Sequence, residues 1–189
     1  MRVIAGTQKG RRLHGPKGPG LRPTADRVKE ALFSILGSRV AGARFLDLYA
    51  GTGAIGIEAL SRGASSVTFV ESNPSAGCIL KTNLAACGLE ADANLFLSQA
   101  ETFLRSARTG TAAFDIIFAD PPYQLDLETS LWPILIETPA LASGGLLVLE
   151  HATRQAPPPA AMSLSLLRQY RYGDTTLSVF ERTERSAAS

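Results

Sequence analysis

The sequence predicts an α/β fold: a mostly parallel sheet covered by helices on both faces, closed by an antiparallel hairpin and preceded by a small basic extension. Three observations predict it. From Arg44 onward, near-continuous apolar strands alternate with helical segments, the pattern of a sheet buried on both sides. A glycine-rich turn, Gly51-Thr52-Gly53-Ala54-Ile55-Gly56, joins the first of these strands to a helix. Near the end, Leu164 to Tyr172 and Thr175 to Arg182 flank Gly173-Asp174, which reads as a hairpin.

The elements follow in order. Arg2 to Gly6 and Arg11 to His14 read as two short strands around Thr7-Gln8-Lys9-Gly10. A breaker-rich loop runs from Gly15 to Pro23, and Thr24 is the expected N-cap of the next helix, with Asp26 in its first turn. Val28, Leu32, Ile35 and Leu36 form one apolar face, and Gly37 ends the helix. Arg27 and Lys29 lie off that stripe, free to face solvent or a ligand. Strands are then expected at Phe45–Tyr49, Ser66–Glu71, Asn94–Leu97, Phe114–Ala119 and Gly145–Glu150. Helices are expected at Ile55–Leu60, Pro74–Cys87 and Glu101–Ala107, and around Trp132. The terminal hairpin follows Pro157-Pro158-Pro159, and the last four residues read as a frayed tail.

Composition excludes several classes. The 189 residues are 45% apolar and 19% charged, ordinary globular proportions for one domain with a small appendage. No apolar run approaches the ~20 residues of a membrane helix, and the N-terminus does not read as a signal peptide, so a cytoplasmic protein is expected. Cys78 and Cys87 are too few for a disulfide framework or zinc cluster; no metal site is expected, and both read as structural thiols. His14 and His151 have no partners at metal-ligand spacing, and Trp132 sits among apolar neighbours as a core residue. The net charge of +2 hides an asymmetry: residues 1–44 carry +8 and the remainder −6. A basic head on an acidic body points to a polyanion, with nucleic acid the natural candidate.

The glycine turn is a formal G-x-G-x-x-G with an acid, Glu71, twenty residues after Gly51. By itself it leaves two cofactors open, a dinucleotide and S-adenosylmethionine. Asp47, four residues before Gly51, favours the second: a carboxylate there repels a pyrophosphate and attracts an ammonium. Glu71 can accept both ribose hydroxyls on its two oxygens. Tyr49, just before the loop, can touch cofactor or base.

Asp120-Pro121-Pro122-Tyr123 follows the fourth strand, at the edge where ligands bind in open α/β sheets. Two prolines remove two N–H donors and leave carbonyls expected to be unpaired. A carboxylate, an exposed carbonyl and an aromatic ring suit a planar base bearing an amine. The oxygens accept the amine's hydrogens while Tyr123 stacks on the ring. Acceptors set for a pyramidal nitrogen favour the transition state of methyl transfer.

These residues together resemble class I methyltransferases of the amino-methylating kind. The resemblance sharpens to the RsmD family with Arg2-Val3-Ile4-Ala5-Gly6, Gly10-Arg11-Arg12-Leu13 and the segment Arg22-Pro23-Thr24-Ala25-Asp26-Arg27 through Phe33. It continues through Leu46 to Ala64, Asp120 to Tyr123 and Tyr172-Gly173-Asp174-Thr175, nearly the whole chain. That resemblance implies a Rossmann-like, mostly parallel seven-stranded sheet, and transfer of a methyl group from S-adenosylmethionine to N2 of one guanine in bacterial 16S rRNA. It implies a basic extension over residues 1–40 and a methyltransferase domain over 41–189, acting as a monomer on the small subunit or its assembly intermediate. Asp47, Tyr49, Gly51, Gly53, Glu71, Gln99 and Ala100 would hold the cofactor, and Asp120, Pro121 and Tyr123 would face the base. Lys9, Arg11, Arg12, Arg22, Thr24 and Arg27 would grip RNA. Gln99 stands where many relatives carry Asp; its side-chain oxygen can still accept from the adenine amine. The reaction loop alone also permits adenine N6 or cytosine N4 of DNA, although no separate target-recognition domain is visible. Two further readings are an inactive RNA-binding assembly factor and a nicotinamide oxidoreductase that tolerates Asp47.

Overall fold

A computed structural model describes residues 1–15, 23–106, 113–122, 124–127, 129–155, 159, 161 and 163–183, with side chains 23–26 outside that description. Helix α1 (Pro23–Leu36) is followed by a 3-10 turn over Gly37–Val40 and strand β1 (Arg44–Leu48). Then come α2 (Ala54–Ser61), β2 (Ser66–Glu71), α3 (Pro74–Cys87), β3 (Ala93–Leu97), α4 (Ala100–Ser106) and β4 (Phe114–Ala119). The chain ends with α5 (Trp132–Glu137), β5 (Leu141–Ala152), β6 (Leu164–Tyr172) and β7 (Thr175–Arg182). The seven strands lie in the order β3-β2-β1-β4-β5-β7-β6, parallel except that β7 runs against both β5 and β6. The expected α/β class, mixed sheet and terminal hairpin are therefore present.

Local chemistry explains the helix ends. Asn73 caps α3 by accepting from Ser75 N–H at 2.9 Å, Pro74 supplies the preset φ of a first turn, and Gly88 closes the helix at φ +64°. Helix α1 begins at Pro23 rather than behind a Thr24 cap, because proline at a first helical position needs no N–H partner. Thr24 therefore lies inside the helix. Gly56 lets α2 lie directly on the sheet: a Cβ there would sit 2.2 Å from the Phe69 ring.

Strand alternation divides the core into two layers. One contains Phe45, Ile116, Phe118, Leu146 and Val148, together with Val3, Leu13, Val28, Leu32, Phe33 and Leu36 of the N-terminal segment. The other holds Leu46, Leu48, Ile117, Leu147 and Leu149 with α4 and α5; Trp132 is buried there, 4.8 Å from the Phe180 ring centroid. The expected N-terminal hairpin is pared down to a single antiparallel bridge, Arg2 to Arg12, with Val3 N–H donating to the Arg11 carbonyl at 2.9 Å. Its side chains spend their burial against the body instead of against each other.

That docking contains a correction. Lys29, expected to face solvent or a ligand, is 2% exposed. Its Nζ donates to the Arg2 carbonyl at 2.6 Å and lies 3.4 Å from Glu58. Glu58, fully buried on α2, also accepts from the Ile4 and Ala5 amides and from Arg62 Nε. An apolar stripe predicts which side chains are buried as hydrophobes, and cannot show an acid waiting under the neighbouring position. Cys87 is buried and Cys78 exposed, both as free thiols. His151 is buried, with Nε2 2.8 Å from Ser178 Oγ, and burial lowers its pKa. Among the described residues, no helix is long and apolar enough to cross a membrane.

Candidate active site at the carboxyl edge of the sheet

Three neighbouring strands carry acids on one face at or near their carboxyl ends. The series Phe45-Asp47 on β1, Phe118-Asp120 at the end of β4 and Val148-Glu150 on β5 each run from apolar core to carboxyl group. Registers Asp47 to Phe118 and Ala119 to Leu149 set these acids beside one another where the parallel strands deliver their C-terminal ends. They open into a cleft of about 240 Å³ whose glycine-loop wall is Tyr49, Ala50, Gly51 and Thr52. Met1, Val28 and Lys29 of the N-terminal segment form part of the same lining. A cleft at this edge is where open α/β sheets bind ligands.

Asp47 is 1% exposed, and its Oδ2 accepts from Gly56 N–H at 2.9 Å in the first turn of α2. Its Oδ1 has no hydrogen bond among the described residues. Burial is the chief reason its pKa is pushed up to about 7; the Gly56 amide opposes the shift, and the Asp120 and Glu71 charges add to it. Desolvation raises the Asp120 pKa too. Burial does the same to Glu150, with the Asp120 charge adding to it. No ion pair reaches Asp47, Asp120 or Glu150 among the described residues. Asp47 is buried, Glu150 half-buried and Asp120 open to the cleft mouth; an unpaired buried carboxyl is costly, so a cationic or donor-rich ligand would relieve this arrangement.

Glu71 acts from behind the loop. Its Oε2 accepts from Gly51 N–H at 2.7 Å and its Oε1 from Asn73 N–H at 2.6 Å, so both oxygens are oriented by backbone and keep further lone pairs. Tyr49 stands at φ +60°, a conformation rare outside glycine, and its hydroxyl donates to Glu101 on α4 at 2.9 Å. Burial, then the Glu101 bond, pushes the Tyr49 pKa upward. Asn83 of α3 joins loop and head: it accepts from His14 N–H and donates to the carbonyls of His14 and Thr52.

The structure brings Asp47, Tyr49, Gly51 and Asp120 into one lining and leaves others outside it. Gly53 instead caps α2 at φ +80°, packed near Leu80. Gln99 is exposed ahead of α4, and Ala100 is buried in that helix. Pro121 is buried and its carbonyl has no hydrogen bond among the described residues. The Pro122 carbonyl, expected to be free, accepts from Leu125 N–H at 2.8 Å because the chain turns back at once. Tyr123 and Arg22 lie outside the described residues, as does the Thr24 side chain. Lys9, Arg11, Arg12 and Arg27 are exposed. Lys9 and Arg27 share a second concavity of about 310 Å³ with Arg2 and Glu30. Sequence reasoning missed Arg2 and Glu150. The signal for Glu150 was present: the alternating run Leu146-Val148-Glu150 ends in an acid, as Phe45-Asp47 does.

Comparison with known proteins agrees with this architecture. A family model described as conserved hypothetical protein 95 matches residues 1–181. The Escherichia coli K12 protein named ribosomal RNA small subunit methyltransferase D is 37% identical over 183 residues, 96% of this chain and 90% of the relative. Its namesake in Haemophilus influenzae is 32% identical over 181 residues, 96% of this chain and 93% of that one. The solved structure of yhhF from Escherichia coli superposes with a TM-score of 0.83 at 36% identity, covering 98% of this chain and 99% of the other.

Proposed function

The chain belongs to the family described as conserved hypothetical protein 95, and from that premise we propose that it transfers a methyl group from S-adenosylmethionine to the exocyclic N2 of a guanine in small-subunit (16S) ribosomal RNA. One observation carries the reading: three carboxyl groups, Asp47, Asp120 and Glu150, line one cleft beside a glycine loop. The donor set fits the cofactor, whose ammonium and sulfonium match unpaired carboxyls and whose lack of phosphate suits Asp47. When bound, S-adenosylmethionine supplies an electrophilic methyl group on a sulfonium, which becomes a neutral thioether as the C–S bond breaks.

Asp47 Oδ1 receives the ammonium, which holds this carboxyl ionised despite its burial. Glu71 takes the ribose hydroxyls on its remaining lone pairs, with Gly51 and Gly53 keeping the loop close; Gln99 and Ala100 flank the adenine. Asp120 accepts one N2–H of the extruded base and the Pro121 carbonyl the other, turning the nitrogen lone pair toward the methyl group. As the N–C bond forms, the proton leaving N2 passes to Asp120 and from there to water. Tyr123 supplies the stacking face. Lys9, Arg11, Arg12, Arg22 and Arg27, with the Thr24 hydroxyl, hold phosphates of the RNA in a salt-dependent way.

Support comes from the relatives' names as small-subunit rRNA methyltransferases and from the cleft's acid set. The test is methyl incorporation into small subunits that lack the modification, followed by nucleoside mass spectrometry. N2-methylguanosine formed by the wild type and lost in Asp120→Ala is expected. N6-methyladenosine, N4-methylcytosine or no methylated product contradicts the proposal.

A further inference from the structure

Glu150 has no part in the loop motifs, yet it lines the same cleft as Asp120. The register Ala119 to Leu149 continues to place Asp120 and Glu150 side by side on neighbouring strands, whose backbones run about 4.8 Å apart. Both project from the same sheet face into the same cleft, as the alternation Phe118-Asp120 and Val148-Glu150 requires. Neither carboxyl has an ion pair among the described residues. Burial and the Asp120 charge both raise the affinity of Glu150 for a proton, so a ligand bringing hydrogen-bond donors to both acids would satisfy them.

The pairing edges of the bases differ in the group beside the amine. Guanine carries N1–H next to its N2 amine, two donors in a row. Adenine and cytosine carry a ring nitrogen with a bare lone pair next to theirs. A single acid can hold any of the three amines. A second acid beside the first accepts from guanine and repels the lone pair of the other two.

We propose that Glu150 is the residue that selects guanine, accepting the N1–H of the target base on a carboxyl oxygen while Asp120 accepts from the N2 amine. This assignment rests on the guanine-N2 reading above. The donors of guanine favour the ionised form of Glu150, whereas a bare ring nitrogen is held only by the protonated carboxyl, so the selection is read above the raised Glu150 pKa of about 8, at about pH 8.5.

The experiment removes the N1–H from the substrate and the charge from the protein. Small subunits are assembled on rRNA ligated to carry, at the position mapped by mass spectrometry, either guanosine or 2-aminopurine riboside. The analogue keeps the N2 amine and has a bare N1. Initial rates of methyl transfer are measured for wild type, Glu150→Gln and Asp120→Asn. The wild type is expected to prefer guanosine by at least about tenfold, the penalty for leaving a cleft carboxylate facing a lone pair in place of a donor. Glu150→Gln is expected to shrink that preference to about threefold or less, because its amide can turn an N–H toward the bare N1. Asp120→Asn is expected to slow both substrates and keep the preference, since both retain the amine. The missing O6 of the analogue affects all three proteins alike and cancels in the comparison. Should Glu150→Gln fail to fold by thermal melting, Glu150→Asp makes the same comparison, its shortened chain withdrawing the acceptor. An unchanged preference in the Glu150 variant overturns the assignment. Absence of N2 methylation by the wild type on guanosine overturns the reading beneath it instead.

Discussion

Two places in this molecule are built around a buried carboxyl group, Glu58 in one and Asp47 in the other, and they treat it in opposite ways. At the joint between the N-terminal segment and α2, Glu58 is fully buried and surrounded by donors: the amides of Ile4 and Ala5, Arg62 Nε, and Lys29 3.4 Å away. In the cleft, Asp47, Asp120 and Glu150 gather with no ion pair of their own among the described residues. The same functional group is a fastener in one place and an acceptor facing a cleft in the other. What separates them is whether the fold supplies the partner. A satisfied buried acid stabilises the docked segment, whereas unsatisfied neighbours cost stability that a bound cation or donor can return. The two regions also touch, because Lys29 belongs to the joint and lines the cleft. Docking of the basic segment therefore completes one wall of the site.

The sharpest way to break the comparison is to remove the fastener. Glu58→Leu removes the ion-pair partner of Lys29 and the acceptor of two backbone amides and is expected to cost about 3–5 kcal/mol in denaturant unfolding. A loss below ~1 kcal/mol would show that the joint does not hold the fold. In the cleft the expectation reverses. Asp120→Ala is expected to lower methyl transfer at least ~100-fold, while thermal melting stays level or rises as one of the crowded acids is lost. A melting point that drops with the activity would make Asp120 a structural residue.

Gly6→Ala attacks the joint through the backbone. Gly6 has φ +81°, and a Cβ there would sit 1.7 Å from the Ser61 carbonyl oxygen. The substitution is expected to cost about 2 kcal/mol and to make the first fifteen residues cleavable by protease in the native protein. An uncut N-terminus would contradict that. The smallest effect concerns pH. Because burial raises Asp47 to about 7, cofactor binding requires expelling its proton at lower pH. Affinity is expected to rise about tenfold between pH 5.5 and 7, a window in which an α-amino group stays charged. The stability of the empty protein runs the other way. The folded state holds a proton that the unfolded chain releases above about pH 4, so this contribution falls as pH climbs toward 7. A flat affinity profile would place the ammonium elsewhere.

Much of the fold was legible because periodicity and punctuation agree. Strand Ser66–Glu71, helix Pro74–Cys87 and the hairpin around Gly173-Asp174 have the bounds their apolar runs, Asn73-Pro74 start and glycine stops imply. Strand β5 begins earlier than expected, at Leu141, because it crosses Gly144-Gly145 with a register shift against β4; glycines that look like a turn signal serve here as an irregularity inside a strand. The site was legible where a motif carries it, at Asp47, Gly51 and Asp120. It was illegible where partners are distant in sequence. Nothing near Lys29 announces Glu58, and nothing near Thr52 announces that Asn83 ties it to His14. Glu150 was overlooked because a single acid ending an apolar strand looks like a strand terminus until its neighbours across the sheet end the same way.

Calorimetric titration decides whether the cleft's unpaired acids hold a cationic methyl donor. The wild type is titrated with S-adenosylmethionine and with NAD, and Asp47→Asn with the first. Saturable binding of S-adenosylmethionine, at least about tenfold weaker binding by Asp47→Asn, and no heat of binding with NAD are expected. Tight binding of NAD, or S-adenosylmethionine affinity unchanged in the variant, would contradict that role for the acids.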